Sequence, residues 1–522
     1  VLEQKIKERR LTFEEFAEYA EQFARDNNEP GTLGVRHLQR LAAGRKPSGE
    51  PLGPVRPATA RLLERIFGAS IDELLAEPAP RPSAETSRAA GLSSRQSTAD
   101  LVLAFDWLDE YAGWSPGTSR QRVRAQLARM DHGELVDRSA RRSKVGRSEL
   151  VAALAEYYPD GATYGARCGD REVVTSVATR ADWLDLACPL TPDNDRLMLA
   201  HRVAAPQATL DETEATAAVS RLAECAAQGV RITNSPLYRL MDVRVGPRVA
   251  GDVGLAPFAE YALTMDLLEG ELADSVAHGV AAGSGGLPLR DRYLGDMDAV
   301  LDVAGRLCAG GALALTAIAR PHDPLRGPRD YALLVQERSG RVLNAAGRLA
   351  VIPKGVHEPL TDVRADARLG ATLRREMEEE LFGREDIDST LNMPPNAMPM
   401  HPSLLSEPMR WLLADPGRLR MECTGFGLNL VSGNFEFASL IVIDDEEFWT
   451  RYGGQVRANW ETAGLRLYSS LDGELITSLV QDETWSNEGL FALLQGLRRL
   501  RDIGGQRVRL PDFAWRLTGS GL

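Results

Sequence analysis

Apolar positions along the chain fall into three regimes. Up to about residue 76 they recur at helical spacing. From 99 to 299 helical and strand-like stretches alternate. From 300 to 522 strand-like runs dominate until a final helix. In the first regime Phe13, Phe16, Ala17, Ala20, Phe23 and Ala24 make one stripe, and Thr12 with Glu15 three residues on makes a capping box ahead of it. A short helix carrying Leu2 and Ile6 precedes it. A third helix is predicted from about Thr32 to Ala43, with Leu38, Leu41 and Ala42 inward and Arg36, His37, Gln39 and Arg40 outward. Pro57 suits the first turn of a fourth helix ending near Phe67, and Ser70 caps a fifth ending near Leu75. Residues 77–98 have no periodic apolar residues and are rich in Pro, Ala and Ser, which predicts a flexible linker.

The middle regime reads as mixed α and β. Leu101, Leu103, Phe105, Trp107 and Leu108 open one predicted helix, and stretches 123–130 and 148–157 are two more. A helix over 210–228 is expected to bury Ala217, Ala218, Leu222, Cys225 and Ala226, and another is expected over 258–272. Stretches 172–177 and 240–253 read as strands. Gly283-Ser284-Gly285-Gly286 lacks the strand–glycine–helix setting of a nucleotide fingerprint and reads as a loop. Asp291-Arg292-Tyr293 reads as a surface turn, with a pocket lining as the alternative. No nucleophile elbow, phosphate loop or histidine pair is present.

In the last regime, strands are expected over 312–318, 331–336 and 348–353, then a hairpin of 422–430 and 435–443 turning at Ser432-Gly433-Asn434. A closing amphipathic helix is expected over 487–503. Between them stands Leu369–Gly383, LGATLRREMEEELFG. Leu369, Leu373, Met377 and Leu381 recur every fourth residue and make an apolar stripe if this is a helix. Glu376, Glu379 and Glu380 share a second face, while Glu378 points away. Carboxylates so close repel one another. Arg374 and Arg375, or an oxygen-preferring cation such as Mg²⁺ or Mn²⁺, would offset that repulsion. A solvated acidic face has the same spacing.

Composition narrows the function classes. Charged residues at 26% and hydrophobic ones at 43% are those of an ordinary globular chain of about three domains. No run approaches the ~18 apolar residues of a membrane span, and no signal-peptide pattern is read, so no membrane partner is expected. The five cysteines are scattered without a CxxC pair, which indicates neither zinc nor a disulfide framework and fits the cytoplasm. The net charge of −13 excludes a non-specific coat of nucleic acid. Residues 1–75 hold 12 Lys/Arg against 12 Asp/Glu, so any DNA contact must come from a local basic surface.

Two resemblances follow from these residues. Leu11-Thr12-Phe13-Glu14-Glu15-Phe16-Ala17, His37–Arg45 and Phe67–Leu75 resemble the opening, recognition-helix end and close of the helix-turn-helix domain in XRE (lambda-repressor-like) regulators. That resemblance implies double-stranded DNA as partner. Arg36, His37, Gln39 and Arg40 would lie near base edges, Arg45 and Lys46 would bind phosphate, and the protein would be a homodimer. The stretch between the two halves is longer than the family's usual turn. Arg375-Glu376-Met377-Glu378-Glu379-Glu380 resembles the R-E-U-x-E-E core of the Nudix box, and Val351–Pro359 resembles the strand and loop that lead into it. This implies an α/β/α sandwich. Glu376, Glu379 and Glu380 would bind Mg²⁺ or Mn²⁺ and act catalytically if the box is active, while Lys354 and Arg375 would contact a phosphorylated, nucleotide-like ligand. The box departs from its pattern: Thr361 replaces the leading glycine, Ala367 the first glutamate and Phe382 the closing glycine, with Asp366 beside the missing glutamate.

The expected organisation is multidomain: an all-α helix-turn-helix domain (1–76), a linker (77–98), a mixed α/β middle (99–299) and a Nudix-like domain (300–522). The leading expectation is a transcription regulator of the XRE group in actinobacteria, sensing a small ligand. A metal-dependent hydrolase of nucleoside diphosphate derivatives is the second, and a protein-interaction scaffold the third.

Overall fold

A computed structural model describes residues 13–26, 33–35, 37–38, 41, 55, 57–67, 71, 74 and 90–518. The last span excludes 170, 201–208, 229–234, 281–282, 284, 339–346, 361, 384–399, 401–403 and 454–461. The chain is mixed α and β and divides into two compact units, Val1–Ser93 and Ser94–Leu522.

The smaller unit is helical wherever it is described beyond its loops. Helices α1 (Phe13–Asp26) and α2 (Pro57–Phe67) coincide with predicted ones, Pro57 included. Their apolar stripes meet in one cluster: Phe16, Ala17, Ala20 and Ala24 from α1, Leu62, Leu63 and Ile66 from α2, with Leu33, Leu38, Leu41 and Leu74 between them. Leu38 and Leu41 therefore face inward as their spacing requires, and His37 is half-buried. Thr12, Arg36, Gln39, Arg40, Arg45 and Lys46 lie outside the described residues, so the capping box and most of the expected DNA contacts do too.

Helix α3 (Ala90–Tyr111) starts just before the larger unit; the other longer helices of that unit are α4 (Thr118–Arg129), α5 (His132–Lys144), α6 (Arg147–Tyr157), α7 (Glu212–Gln228), α8 (Leu267–Ala277), α9 (Leu369–Glu376), α10 (Gly473–Val480) and α11 (Asn487–Ile503). Its strands are β1 (Thr163–Cys168), β2 (Arg171–Ala178), β3 (Cys188–Pro189), β4 (Asp195–Leu199), β5 (Pro236–Arg244), β6 (Val249–Pro257), β7 (Gly310–Arg320), β8 (Asp330–Arg338), β9 (Leu349–Val351), β10 (Lys354–Val356), β11 (Leu419–Asn429), β12 (Phe435–Ile443), β13 (Thr462–Ser469) and β14 (Phe513–Thr518). Eleven of them form one sheet with the path β13-β8-β7-β12-β11-β2-β1-β14. On its flanks β9 pairs with β8, β10 with β7 and β3 with β11. The remaining three, in the order β4-β6-β5, make a small second sheet.

The large sheet is covered on both faces, and strand alternation shows how. Along β7 and β12 the residues Ala312, Ala314, Ile318, Phe435, Phe437 and Ile441 join Leu369, Leu373, Met377 and Leu381 of the acidic helix in one core. The intervening Leu313, Leu315, Ala317, Ala438, Leu440 and Val442 join Leu490, Leu493, Leu494 and Leu497 of α11 in another. A strand buried on both faces loses its polar–apolar alternation, so β7 and β12 read as continuous apolar runs in the sequence. The register Gly310↔Phe435 to Ile318↔Ile443 pairs these two strands in parallel, and a Cβ at Gly310 would lie 2.0 Å from the Phe435 carbonyl oxygen.

Several expectations need correction. The expected linker of 77–98 meets α3, which already begins at Ala90. The Ala, Leu, Arg and Gln residues of this stretch favour helix by propensity, without an apolar stripe to announce it. Whether 99–299 is a domain of its own is open in the sequence; among the described residues its β1 and β2 extend the sheet of 300–522 through β11. The predicted helix over 258–272 is two helices, Phe258–Ala262 and α8, parted by turns at Leu263–Asp266. In α7 the buried face is Ala215, Ala218, Val219, Leu222, Ala223 and Cys225, while Ala226 is exposed. Asp291-Arg292-Tyr293 is the end of a short helix, Pro288–Tyr293, and not a turn.

Candidate functional site: the acidic helix and the Lys354 loop

The acidic stretch is helical, and its last turn widens. Helix α9 runs to Glu376 and continues as a π-turn over Met377–Leu381. π-turns displace side chains from the ordinary 3.6-residue register and recur at functional sites. The apolar stripe is fully buried. The glutamates are buried too, with Glu376 7%, Glu378 0%, Glu379 8% and Glu380 1% exposed, which rules out the solvated acidic face. A buried carboxylate must be paired or hydrogen-bonded, and the pairings define the site.

Glu376 is held by its neighbour. The Arg375 guanidinium donates to Glu376 Oε1 at 2.8 Å, and also to the carbonyls of Val356 (3.0 Å) and Glu358 (3.1 Å). Burial would lower the Arg375 pKa, but Glu376, Glu358 and Glu379 outweigh it and raise it. Arg375 thus joins the helix to the loop leaving β10 and has its donors committed there; a role in ligand contact would need them released. Gly355 fits beneath this pair: a Cβ there would lie 2.0 Å from the Glu376 carboxyl carbon.

Glu380 clamps the same loop from the other side. Its Oε2 accepts the Lys354 N–H at 2.7 Å, and its Oε1 lies 3.4 Å from Gln336 Nε2. Glu378 faces away, as its spacing requires, and accepts the Ser406 N–H at 2.8 Å. Arg374 turns toward Asp195 of β4, whose Oδ2 accepts the Gly370 N–H at 2.8 Å at the start of α9. Burial raises the Asp195 carboxyl pKa against the pull of those amides and of Arg374 and Arg368.

The departures from the box pattern also have places. Ala367, where the first glutamate would fall, is fully buried, and its carbonyl faces His357 Nε2 at 3.1 Å. Thr361 lies outside the described residues. Asp366 does not substitute for that glutamate here: its Oδ2 accepts the N–H groups of Leu360 (2.9 Å) and Asp362 (3.0 Å) and shapes the loop. His357 Nδ1 lies 2.8 Å from Thr372 Oγ1, and burial, then the Arg375 charge, pushes its pKa down to about 3. Sequence reading nominated no histidine beside the acidic helix; only the fold places this one beneath it.

Lys354 anchors a group of acids contributed by distant segments. Its Nζ donates to Glu488 Oε1 at 2.5 Å, and Asn429 Nδ2 donates to Glu488 Oε2 at 3.1 Å. Burial alone would raise the Glu488 carboxyl, but the ammonium wins and holds it below the usual carboxylate range. Burial and then Glu488 push Glu436 up to about 8, and burial, Asp266 and Glu488 push Glu269 up to about 7. One lysine faces three carboxylates, so the group retains a proton near neutrality. Glu436 and Glu488 sit in strand and helix runs that look purely structural in the sequence, and only their buried charge marks them.

Among the described residues, no group of three or more His, Cys, Asp or Glu is placed to hold a metal ion. Glu376 and Glu380 both already accept hydrogen bonds from protein donors. An open cleft of about 980 Å³ beside β8 and β13, lined by Arg326, Asp330, Ser469, Asp472, Thr477 and Arg509 among others, shares no residue with the Lys354 group. No helix among the described residues is long and apolar enough to cross a membrane. No known family model matches the chain, and no curated protein matches it.

Proposed function

We propose that the chain is a DNA-binding regulator whose larger unit is a degenerate Nudix-like sensor of an anionic, phosphorylated ligand. The observation that supports this reading is the use made of the box carboxylates. Glu376 is spent on Arg375, Glu380 on the Lys354 amide, and the first glutamate position is the buried Ala367. A box wired in this way holds a loop in shape. It does not converge on a water to be activated. Mg²⁺ or Mn²⁺ would share these carboxylates with their present donors.

The DNA half of the proposal rests on the helix-turn-helix resemblance and on the separate core of the smaller unit, which buries Leu38 and Leu41 of the third helix. Arg36, His37, Gln39 and Arg40 would read bases from that helix, with Arg45 and Lys46 on phosphate. A homodimer on paired half-sites is the expected form, with ligand binding biasing one of two dimer geometries. Sequencing of genomic fragments retained by the purified protein tests this half. Enrichment of a two-fold-related motif is expected, and uniform recovery of all fragments would overturn it.

A hydrolase is the second reading, and the Lys354 group is the observation that favours it. Glu436, with its pKa near 8, has the protonation state of a general acid at neutral pH.

A further inference from the structure

We propose that the outer face of α4 is a second contact surface for the sugar–phosphate backbone of duplex DNA. The proposal rests on the reading of the chain as a DNA-binding regulator and adds a surface within the larger unit. The chain carries a net charge of −13, yet from Ala112 to Met130 it has four arginines, Arg120, Arg122, Arg124 and Arg129, and no carboxylate. All four are exposed.

The helix is fixed on its other side, so this face stays outward. Val123 is 3% and Ser119 0% exposed, and Ser119 Oγ donates to the Phe105 carbonyl at 3.1 Å. Asp109 fills the helix N-terminus: its oxygens accept the N–H groups of Gly117 at 2.5 Å and Ser119 at 2.7 Å. An anion would therefore be held by the side chains of the outer face and not by the helix end.

Those side chains are partly preset. Arg120 lies over the Phe105 ring at 5.5 Å, and Arg122 lies over Trp114 at 4.0 Å. Stacking leaves guanidinium edges available for phosphate oxygens. Arg122 also meets Glu212 at 2.8 Å, a solvent-exposed pair of the kind that contributes little. Arg124 and Arg129 have no carboxylate within salt-bridge distance among the described residues. Arg120 and Arg124 lie along one edge of the outer face of α4 and Arg122 and Arg129 along the other, so the four flank it. Arginine is the side chain suited to two-pronged contact with phosphate.

On the next helix, α5, Arg138 and Arg142 are drawn inward to Asp274 and Glu224 while Glu134 and Asp137 are exposed, so the positive surface is confined to α4. A helix with four exposed arginines and no acid of its own is complementary to a polyanion.

The test uses the full chain and the duplex fragments it retains. Arg120, Arg124 and Arg129 are changed together to Gln, which preserves helix propensity and spares the Arg122–Glu212 pair. A control changes exposed Arg167, Arg171 and Arg410 to Gln, with the same loss of charge elsewhere. Affinity is measured against salt. Each lost phosphate contact lowers the slope of log K on log salt by about 0.9, so the α4 variant is expected to lose roughly 2 to 3 units of slope with its sequence preference intact. The control is expected to keep the wild-type slope. Equal slopes for wild type and the α4 variant would overturn this surface while leaving the DNA reading standing. An equal loss in the control would overturn it in favour of net charge. A wild type without DNA affinity would overturn both, and α4-dependent binding to anionic vesicles instead of DNA would replace the proposed partner.

Discussion

Asp195 Oδ2 accepts the Gly370 N–H at 2.8 Å, so a residue of the small second sheet satisfies the N-terminus of the acidic helix. The two residues are 175 positions apart. Asp195→Ala is expected to strip this cap and destabilise the protein by about 1 to 2 kcal/mol, as helix caps do. Asp195→Asn keeps an acceptor and is expected to cost less. Denaturant unfolding of the two variants measures the difference, and equal losses would show that the cap is not what Asp195 supplies.

This contact also marks where the sequence stops being informative. Periodicity predicted α1, α2, α9 and α11, because each carries its own apolar stripe in one contiguous stretch. Leu369, Leu373, Met377 and Leu381 are legible in that way, and so is the turn of Glu378 away from the other three glutamates. Which segment lies opposite is not periodic. Nothing local announces that β2 will pair with β11, or that Asp195 will cap α9. Cys188 and Cys423 are a further case: they are directly paired across β3 and β11, although their spacing in the chain suggests no relation. The box glutamates were found from their motif, but Glu436 and Glu488 were missed because strand and helix composition hides a buried charge until its neighbours are known.

Gly355 and Glu376 are coupled through space. A methyl at 355 would overlap the Glu376 side chain, so Gly355→Ala is expected to cost about 1 to 3 kcal/mol. In Glu376→Ala the same substitution has room. A double-mutant cycle of unfolding free energies is therefore expected to show a coupling above about 0.5 kcal/mol. Additive costs would contradict the packing described for the loop.

The Lys354 group predicts a charge-dependent cost. Lys354→Met leaves Glu488 buried without its cation, and about 3 to 5 kcal/mol of stability is expected to be lost. Lys354→Met with Glu488→Gln is expected to recover part of that loss. No recovery would mean that packing of the lysine stem, and not its charge, carries the effect.

Two titrations act in opposite directions. Buried His357 stays neutral in the folded state down to about pH 3, whereas in the unfolded chain it takes up a proton near 6.5. The unfolded state therefore binds more protons between those values, and this group lowers stability as pH falls through them, by at most about 1.4 kcal/mol per pH unit. Glu436 keeps its proton up to about pH 8 when folded and loses it near 4.5 when unfolded. Its contribution is complete below 4.5 and is lost as pH rises through 8. Unfolding free energy against pH is expected to flatten above 4.5 in Glu436→Gln and below 6.5 in His357→Gln. Unchanged curves would contradict the burial of these two groups.

The most direct measurement uses wild type and Glu380→Gln with a panel of nucleoside diphosphate derivatives, in Mg²⁺ and in Mn²⁺, recording phosphate-bond cleavage and thermal stabilisation on the same samples. The sensor account predicts that some member of the panel raises the melting temperature of the wild type without being cleaved, and that Glu380→Gln, having lost its hold on the Lys354 loop, responds less. Metal-dependent cleavage by the wild type that disappears in Glu380→Gln would contradict it and make the larger unit an enzyme.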